Sequence, residues 1–292
     1  MLSKRTLTSK DLASSTRLYG PAVQAWASAA ESYGFVTKRS GGRLALAPGV
    51  ADLLLNRSHP DYLGGQISYL ALRSLEFGKL GDLFKHGVSH PIVSSFEAIE
   101  EATHWDHFAF MNAIQDKGSL RLRLRKGCRF LDVGCGTGTL IAKLLHEYPR
   151  TNFVGIDSSG KAIRRARKLL RGTTVRLDIM EAETMPFSNE FDIAYLGESL
   201  YSTRNKQKTT DNCFRALKKD GIIAVIEGLL PSSGIRTDEN KLIMGMQLDF
   251  ALQGHRFLTS KEIRSLLKKS GFVNIRLTAL GGAVFLITAR KR

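Results

Sequence analysis

Residues 130–140 combine an apolar stretch, an aspartate and three alternating glycines in one short segment. The apolar stretch predicts a strand buried on both faces, and a helical pattern begins close to Gly138. Gly134 and Gly136 allow a sharp turn and a close approach to a ligand, since neither carries a Cβ. Their spacing is not the G-x-G-x-x-G that admits a pyrophosphate, and Asp132 would repel an anion. The loop therefore favours a ligand that carries a cation or an ammonium group.

Acidic residues also follow the next two predicted strands. Asp157 ends a strand over 151–156, about twenty residues after the glycine loop, where an acid can reach both ribose hydroxyls of a nucleoside. Glu181 follows a strand over 174–180. Because open α/β sheets bind nucleotides at the carboxyl edge of their strands, these acids indicate a nucleoside site. Asp157 would equally suit a cap on the helix that starts near Ser159, and the two roles are compatible.

The segments and their order resemble the class I S-adenosylmethionine (SAM)-dependent methyltransferases. Residues 130–140 resemble motif I of that family, and residues 181–187 resemble its acid-Ala-x-x-Leu-Pro-Phe segment. Further predicted strands lie at 191–195, 222–227, 273–278 and 283–289, with a helix at 260–270. The resemblance covers residues 127–292. It implies an α/β fold with a Rossmann-like class I methyltransferase sheet, and SAM as the cofactor.

The resemblance also implies which residues contact the cofactor. Asp157 is expected to hold both ribose hydroxyls, and Glu181 with the amide that follows it is expected to meet the adenine. The predicted cofactor-binding residues are Asp132, Gly134, Cys135, Gly136, Gly138, Asp157, Ser158, Glu181, Ala182 and Gly197. Cys135 needs only to be small at its position in the loop.

The first 118 residues show mostly helical periodicity and one short β pattern. Thr8 begins a capping-box pattern, residues 21–33 form an alanine-rich helix pattern, and residues 35–46 read as a two-stranded hairpin. Two helices followed by a β-hairpin predict a winged-helix-like domain. We therefore predict a winged-helix-like and helical cap or dimerisation domain at 1–118, followed by a SAM-binding domain at 119–292.

The predicted helices that follow the hairpin resemble the linker helices of the winged-helix small-molecule O-methyltransferases. The matching segments are residues 75–80 and 108–111. This resemblance implies O-methylation of a small-molecule acceptor, and a homodimer, because the helical domains of that family usually dimerise. The family's base is a histidine just after the fourth strand, where this sequence has Tyr201. A neutral tyrosine is a poor base near pH 7, although it can orient a substrate.

Other side chains are candidates for the missing base and for acceptor binding. His104 and His107 lie three residues apart on one face of a predicted helix before the glycine loop. With Tyr201 they form the predicted catalytic set. Glu198, Tyr201 and His255 form the predicted substrate-binding set. If none of them acts as a base, the acceptor must be nucleophilic enough to react through positioning alone.

The net charge of +16 raises the alternative of a nucleic-acid partner. Residues 1–117 hold 12 Lys and Arg against 11 Asp and Glu, whereas residues 118–292 hold 31 against 16. The candidate recognition helix at 21–33 has no Lys or Arg, so it cannot neutralise DNA phosphates. We interpret the basic side chains as solvated helix faces. Methylation of RNA or another macromolecule remains the alternative, and a SAM-sensing winged-helix regulator is a further one.

Cysteine usage and hydropathy bear on the compartment. Cys128, Cys135 and Cys213 have neither metal-ligand nor disulfide spacing, which is typical of a reducing compartment. No apolar run approaches the length of about 18 residues that a membrane span needs, and the N-terminus lacks the pattern of a signal peptide. The sequence predicts a cytoplasmic protein without a membrane segment or a bound metal.

Overall fold

A computed structural model of the protein describes residues 1–57, 59, 62–75, 77–89, 100, 102–116, 118–231, 238–281 and 283–292. The chain divides into two compact units, residues 1–67 and residues 68–292. Each unit has buried apolar clusters of its own.

The first unit begins with two helices and a hairpin. Its elements are α1 (Ser9–Thr16), α2 (Gly20–Ser32), β1 (Val36–Arg39), β2 (Arg43–Leu46) and α3 (Val50–Leu54). The Thr8 hydroxyl caps α1 by accepting a hydrogen bond of 3.1 Å from the Asp11 amide. β1 and β2 pair antiparallel. α1, α2 and the hairpin occur where the sequence predicts them, α3 was not predicted, and the winged-helix-like interpretation remains a prediction.

The second unit is built on a sheet of eight strands. They are β3 (Arg129–Val133), β4 (Asn152–Asp157), β5 (Arg176–Ile179), β6 (Phe191–Gly197), β7 (Leu217–Leu230), β8 (Leu258–Thr259), β9 (Val273–Gly281) and β10 (Val284–Arg290). The order across the sheet is β5-β4-β3-β6-β7-β10-β9, and the short β8 pairs with the end of β7. β10 runs antiparallel to both of its neighbours, whereas β3 to β7 are parallel. The predicted Rossmann-like sheet with a closing hairpin is confirmed.

The remaining helices flank this sheet or precede it in the chain. They are α4 (Gly64–Ser74), α5 (Leu80–His86), α6 (His104–Asp116), α7 (Gly118–Lys126), α8 (Thr139–Glu147), α9 (Gly160–Leu169), α10 (Lys206–Ala216), α11 (Asp238–Leu252) and α12 (Ser260–Lys269). Among the described residues, no helix combines the length and apolar character that crossing a membrane requires.

Alternation along the central strands explains why helices cover both faces of the sheet. On β3, Phe130 joins a cluster with side chains of α6 to α9. Leu131 and Val133 point to the other face, where they join a cluster with α10 and α12. β3 is therefore covered by buried apolar side chains on both faces. Its carboxyl end lies where neighbouring strands continue in opposite directions across the sheet, which is the usual ligand position in open α/β folds.

The second compact unit begins at residue 68 and includes α6 and α7, because both helices pack on the sheet. The predicted domain boundary at 118/119 remains a prediction. Phe110 of α6 stacks on Tyr195 of β6 with ring centroids 4.4 Å apart, and Leu120 and Leu124 of α7 join the same buried cluster. The sequence shows these helices as amphipathic but does not show which surface they cover. The segment from residue 68 is therefore part of the second compact unit.

Candidate active site

A cavity of about 430 Å³ opens at the carboxyl ends of β3 to β6. Its walls come from the glycine loop after β3, from the segments that follow β4, β5 and β6, and from the beginning of α6. The predicted residues that line it are Asp132, Gly134, Cys135, Gly136, Asp157, Ser158, Glu181, Ala182, Gly197, Glu198 and His107. The fold thus brings most of the predicted site together in one place.

Two glycines shape the floor of this cavity. Gly134 has a φ of 81°, and a Cβ there would lie 2.7 Å from the Cβ of Ser199. Gly136 has a φ of 53°, and a Cβ there would meet no described atom within 4 Å. Gly134 therefore makes room for the segment after β6, whereas Gly136 leaves its backbone open to a ligand.

Gly138 is not among the cavity-lining residues. It is the N-cap residue of α8, with a φ of 77°, and a Cβ there would lie 3.0 Å from Leu170 and 3.2 Å from the Cβ of Ala166. Its structural task is to let α8 and α9 approach each other. The predicted contact between Gly138 and the cofactor remains a prediction.

Asp157 joins the glycine loop to the beginning of α9. Its Oδ2 accepts a hydrogen bond of 2.9 Å from the Gly136 amide, and its Oδ1 accepts one of 2.8 Å from the Ser159 amide. The Ser159 hydroxyl, not the Asp157 carboxylate, caps α9 by accepting from the Ala162 amide. Each Asp157 oxygen retains a lone pair for a ligand hydroxyl.

The cavity is strongly acidic. Among its described lining residues, seven are Asp or Glu and Arg204 is the only Lys or Arg. Asp132 is 2% exposed, and burial together with the charge of Asp157 raises its pKa to about 8. Burial and the same two carboxylates also raise the pKa of the Cys135 thiol, which therefore stays protonated and unreactive. A cavity of this kind suits a cationic ligand, as the residue types around the glycine loop predict.

The segment after β6 is held by two carboxylates. Glu198 has a φ of 45°, and its Oε1 accepts a hydrogen bond of 2.9 Å from the Gly228 amide. Glu227, on the neighbouring β7, is completely buried and accepts hydrogen bonds of 2.7 and 3.2 Å from the amides of Leu200 and Tyr201. These bonds determine where the turn at 200–202 lies. Glu227 is not among the residues predicted from the sequence, although a charged residue inside an apolar strand indicates a buried group that needs hydrogen-bond partners.

Tyr201 lies outside the cavity lining. Its ring packs against Phe250 and Phe257, with centroids 4.5 and 5.9 Å away, and against His255 at 5.9 Å. His255 is likewise absent from the cavity wall. The structure places both of these residues in an aromatic cluster with α11. Their predicted roles in catalysis and substrate binding remain predictions.

The two candidate histidines of α6 differ in what the structure describes. His107 lines the cavity together with Asp106 and Thr103. The side chain of His104 lies outside the described residues. Burial raises the pKa of Asp106, which is not among the predicted site residues, to about 7. Tyr195 of β6 also lines the cavity. The sequence did not indicate this, because an apolar strand pattern around Tyr195 predicts a core residue.

The buried carboxylates predict a stability that depends on pH. Burial raises the pKa of Glu227 to about 8, whereas a glutamate in the unfolded chain titrates near 4.3. Between about pH 4 and pH 8 the folded state keeps a proton that the unfolded state has lost, so this group lowers the unfolding free energy as pH rises. We expect the unfolding free energy of Glu227→Gln, relative to wild type, to rise by about 1 kcal/mol or more from pH 5 to pH 8.

Urea titrations of both proteins at the two pH values measure this difference. Glu190→Gln, at a partly exposed carboxylate that pairs with Arg129 on the same unit, serves as the control and should show a smaller trend. A relative stability of Glu227→Gln that stays constant or falls with pH would contradict the assignment.

A family model and a sequence relative both describe proteins of one class. A family model described as a methyltransferase domain matches residues 124–272. The demethylmenaquinone methyltransferase of Lactobacillus johnsonii is 26% identical over 203 residues, which are 62% of this chain and 83% of that protein.

Two solved structures extend the likeness in fold to nearly the whole chain. A putative O-methyltransferase from Nostoc punctiforme superposes with a TM-score of 0.75 at 19% identity and covers 99% of this chain and 90% of that one. Human N-acetylserotonin methyltransferase, solved in complex with SAM, has a TM-score of 0.70 at 19% identity, with coverage of 98% and 87%.

Proposed function

The chain belongs to the methyltransferase family whose model matches residues 124–272, and we propose that it transfers the methyl group of SAM to a small-molecule acceptor bound in the cavity. The observation that carries the proposal is the pairing of an open, acid-lined glycine loop with Asp157 on the adjacent strand end. Such a site suits a nucleoside that bears positive charge. Bound SAM supplies a sulfonium methyl group that is already activated for transfer.

The residues present fit SAM group by group. Asp157 would accept hydrogen bonds from the ribose hydroxyls, and Glu181 with Ala182 would meet the adenine from the end of β5. Asp132 would face the cationic part of the ligand, beside the open backbone of Gly136. The protein's remaining task is to align the acceptor with the methyl group in a site from which water is excluded.

Two observations support a small molecule over a nucleic acid. The helix α2, which would be the recognition helix of a DNA-binding winged helix, carries no Lys or Arg. The sequence also lacks the Asn-Pro-Pro-Tyr-type segment and the Pro-Cys nucleophile of nucleic-acid base methyltransferases. O-methylation remains a prediction. His107 is a candidate base in the cavity, since Tyr201 lies outside the lining. The homodimer and the cytoplasmic location are also predictions.

Labelling in a cell extract tests the acceptor class. Incubation with methyl-labelled SAM should place the label in the small-molecule fraction, with little dependence on ionic strength. The measurement is label incorporation, after separation by size, at two salt concentrations. The matched control is Gly136→Val, whose side chain would fill the open backbone position in the cavity and should abolish incorporation.

Three other results would be informative. Label in RNA, with binding that falls steeply as salt increases and requires Arg164, Arg165 and Lys168, would contradict the proposal and support the macromolecular alternative. Label in protein would contradict it in the same way. Tight SAM binding with label in no fraction would favour the SAM-sensing regulator.

A further inference from the structure

One half of the cavity contains polar groups that the assignment of SAM leaves unused. In the sheet order β5-β4-β3-β6, the strands that carry Asp157 and Glu181 lie on one side of β3, and β6 lies on the other. Tyr195 and Glu198 belong to β6 and the segment after it, and Asp106 reaches the cavity from α6. These three residues lie on the side away from the ribose and adenine positions, where an acceptor would bind. We refer to them as the acceptor-side group.

Tyr195 provides the clearest sign of a ligand in this half. The residue is 2% exposed and lines the cavity, and its ring is held between Phe110 at 4.4 Å and Phe130 at 6.0 Å. Its hydroxyl is buried and has no hydrogen-bond partner among the described residues. A buried hydroxyl without a partner is costly, so a polar group of a bound molecule is the natural partner here.

The charges around this hydroxyl all have one sign. Asp132, Asp106, Glu198 and Glu227 each act electrostatically on Tyr195. Burial and the charges of Glu227 and Asp106 raise the pKa of Glu198 well above its ordinary value. Burial also raises the pKa of Glu227, and the charge of Lys206, which is not a cavity-lining residue, partly offsets this rise. A carboxyl group whose pKa is raised in this way keeps its proton near neutral pH until a cation binds beside it, and Arg204 and His107 are the only basic residues among the described lining residues.

We propose that the acceptor carries an amino nitrogen, which the acceptor-side group of Asp106, Tyr195 and Glu198 binds as an ammonium. This inference rests on the proposed function and narrows its substrate class. The ammonium supplies the charge that the carboxylates lack and the hydrogen-bond partner that the Tyr195 hydroxyl lacks. A hydroxyl acceptor would fit less well, because it must first lose its proton to become a strong nucleophile, and the four nearby acids oppose the negative oxygen that this leaves.

The transfer is balanced as follows. The ammonium passes one proton to the Glu198 carboxylate, which leaves a neutral nitrogen with a lone pair. That lone pair forms the new N–C bond while the S–C bond breaks, and the S–C electron pair stays on sulfur. The positive charge moves from sulfur to nitrogen, so it remains within reach of the carboxylates throughout. The N-methylated product then dissociates as a cation, and Glu198 loses its proton to solvent.

The charge of the labelled product tests the proposal directly. The full chain is incubated with methyl-labelled SAM and a small-molecule cell extract, the labelled products are separated from unreacted SAM, which is itself a cation, and they are then applied to a cation-exchange resin at pH 5. We expect the label to be retained and to be released at pH 11, since an N-methylamine is cationic only below its pKa. A quaternary product would be retained at both pH values and would also support an amino acceptor. Label that passes through at pH 5, as an ether or ester would, overturns the proposal while leaving the proposed function intact.

Variants connect the product to the acceptor-side group. Tyr195→Phe and Glu198→Gln should each lower label incorporation at least 10-fold at low extract concentration, while SAM affinity measured by calorimetry changes less than 2-fold. Asp178→Asn, on β5 and outside the cavity lining, is the control and should retain full incorporation. Thermal unfolding shows whether each variant is folded. If Glu198→Gln does not fold, Tyr195→Phe still tests the acceptor-side group. Full incorporation by folded Tyr195→Phe would overturn the assignment of the group.

The proposal and the proposed function fail in different ways. If the protein binds SAM and no small molecule becomes labelled, the proposed function is wrong and the amine inference falls with it. If a labelled small molecule forms and is neutral at pH 5, only the amine inference is wrong.

Discussion

Replacing Asp157 with alanine should weaken SAM binding about 10- to 150-fold, which corresponds to roughly 1.5–3 kcal/mol. The carboxylate would supply charged hydrogen bonds to the ribose, and it also ties the Gly136 amide to the Ser159 amide. The variant therefore loses both a ligand contact and the bridge that shapes the loop. Isothermal titration calorimetry with SAM measures the change.

The matched control for this variant is Asp178→Ala. Asp178 lies on the adjacent strand β5, where its carboxylate pairs with Arg176 at 2.7 Å, outside the cavity lining. We expect its SAM affinity to equal that of wild type. The SAM affinity of Asp157→Asn, which keeps one oxygen acceptor, should lie between the affinities of Asp157→Ala and Asp178→Ala. Equal affinities for Asp157→Ala and wild type would show that the ribose is held elsewhere.

Removing the guanidinium of Arg73 is expected to cost about 3–5 kcal/mol of unfolding free energy. Arg73 of α4 is completely buried, and its Nε lies 2.6 Å from Oδ1 of Asp249 on α11. Oδ2 of Asp249 accepts hydrogen bonds from the Tyr69 hydroxyl at 2.9 Å and from the side-chain amide Nε2 of Gln253 at 2.8 Å. Arg73→Ala leaves a buried carboxylate without its cation, and urea unfolding measures the loss.

Two comparisons separate this effect from a general sensitivity to mutation. Lys218→Ala breaks the partly exposed pair of Lys218 with Asp192, and it should cost less than about 1 kcal/mol. The double variant Arg73→Met with Asp249→Leu should be more stable than Arg73→Ala, because it removes both buried charges. A cost below 1 kcal/mol for Arg73→Ala would mean that the pair does not hold α11 in place.

Local patterns determined much of the fold of the second unit. The glycine loop and the strand-end acids each show their role within a few neighbouring residues. Strand positions followed from apolar runs, and their order followed from the resemblance to a known family. The packing of α6 on the sheet did not follow, because amphipathic periodicity shows that α6 has an apolar face but not that Phe110 packs on Tyr195.

The sequence by itself determined which acids and glycines line the cavity at the ends of β3 to β5: an acid before alternating glycines, a second acid after the next strand and a third after the following one. These features are local, since a strand end and the turn that follows it are contiguous in the chain. Only the tertiary structure showed that Asp106 and Tyr195 line the cavity together with the predicted Glu198, and that the ring of Tyr201 packs against Phe250. Such contacts join residues far apart in the chain, as Arg73 and Asp249 do across 176 positions, and packing alone selects them.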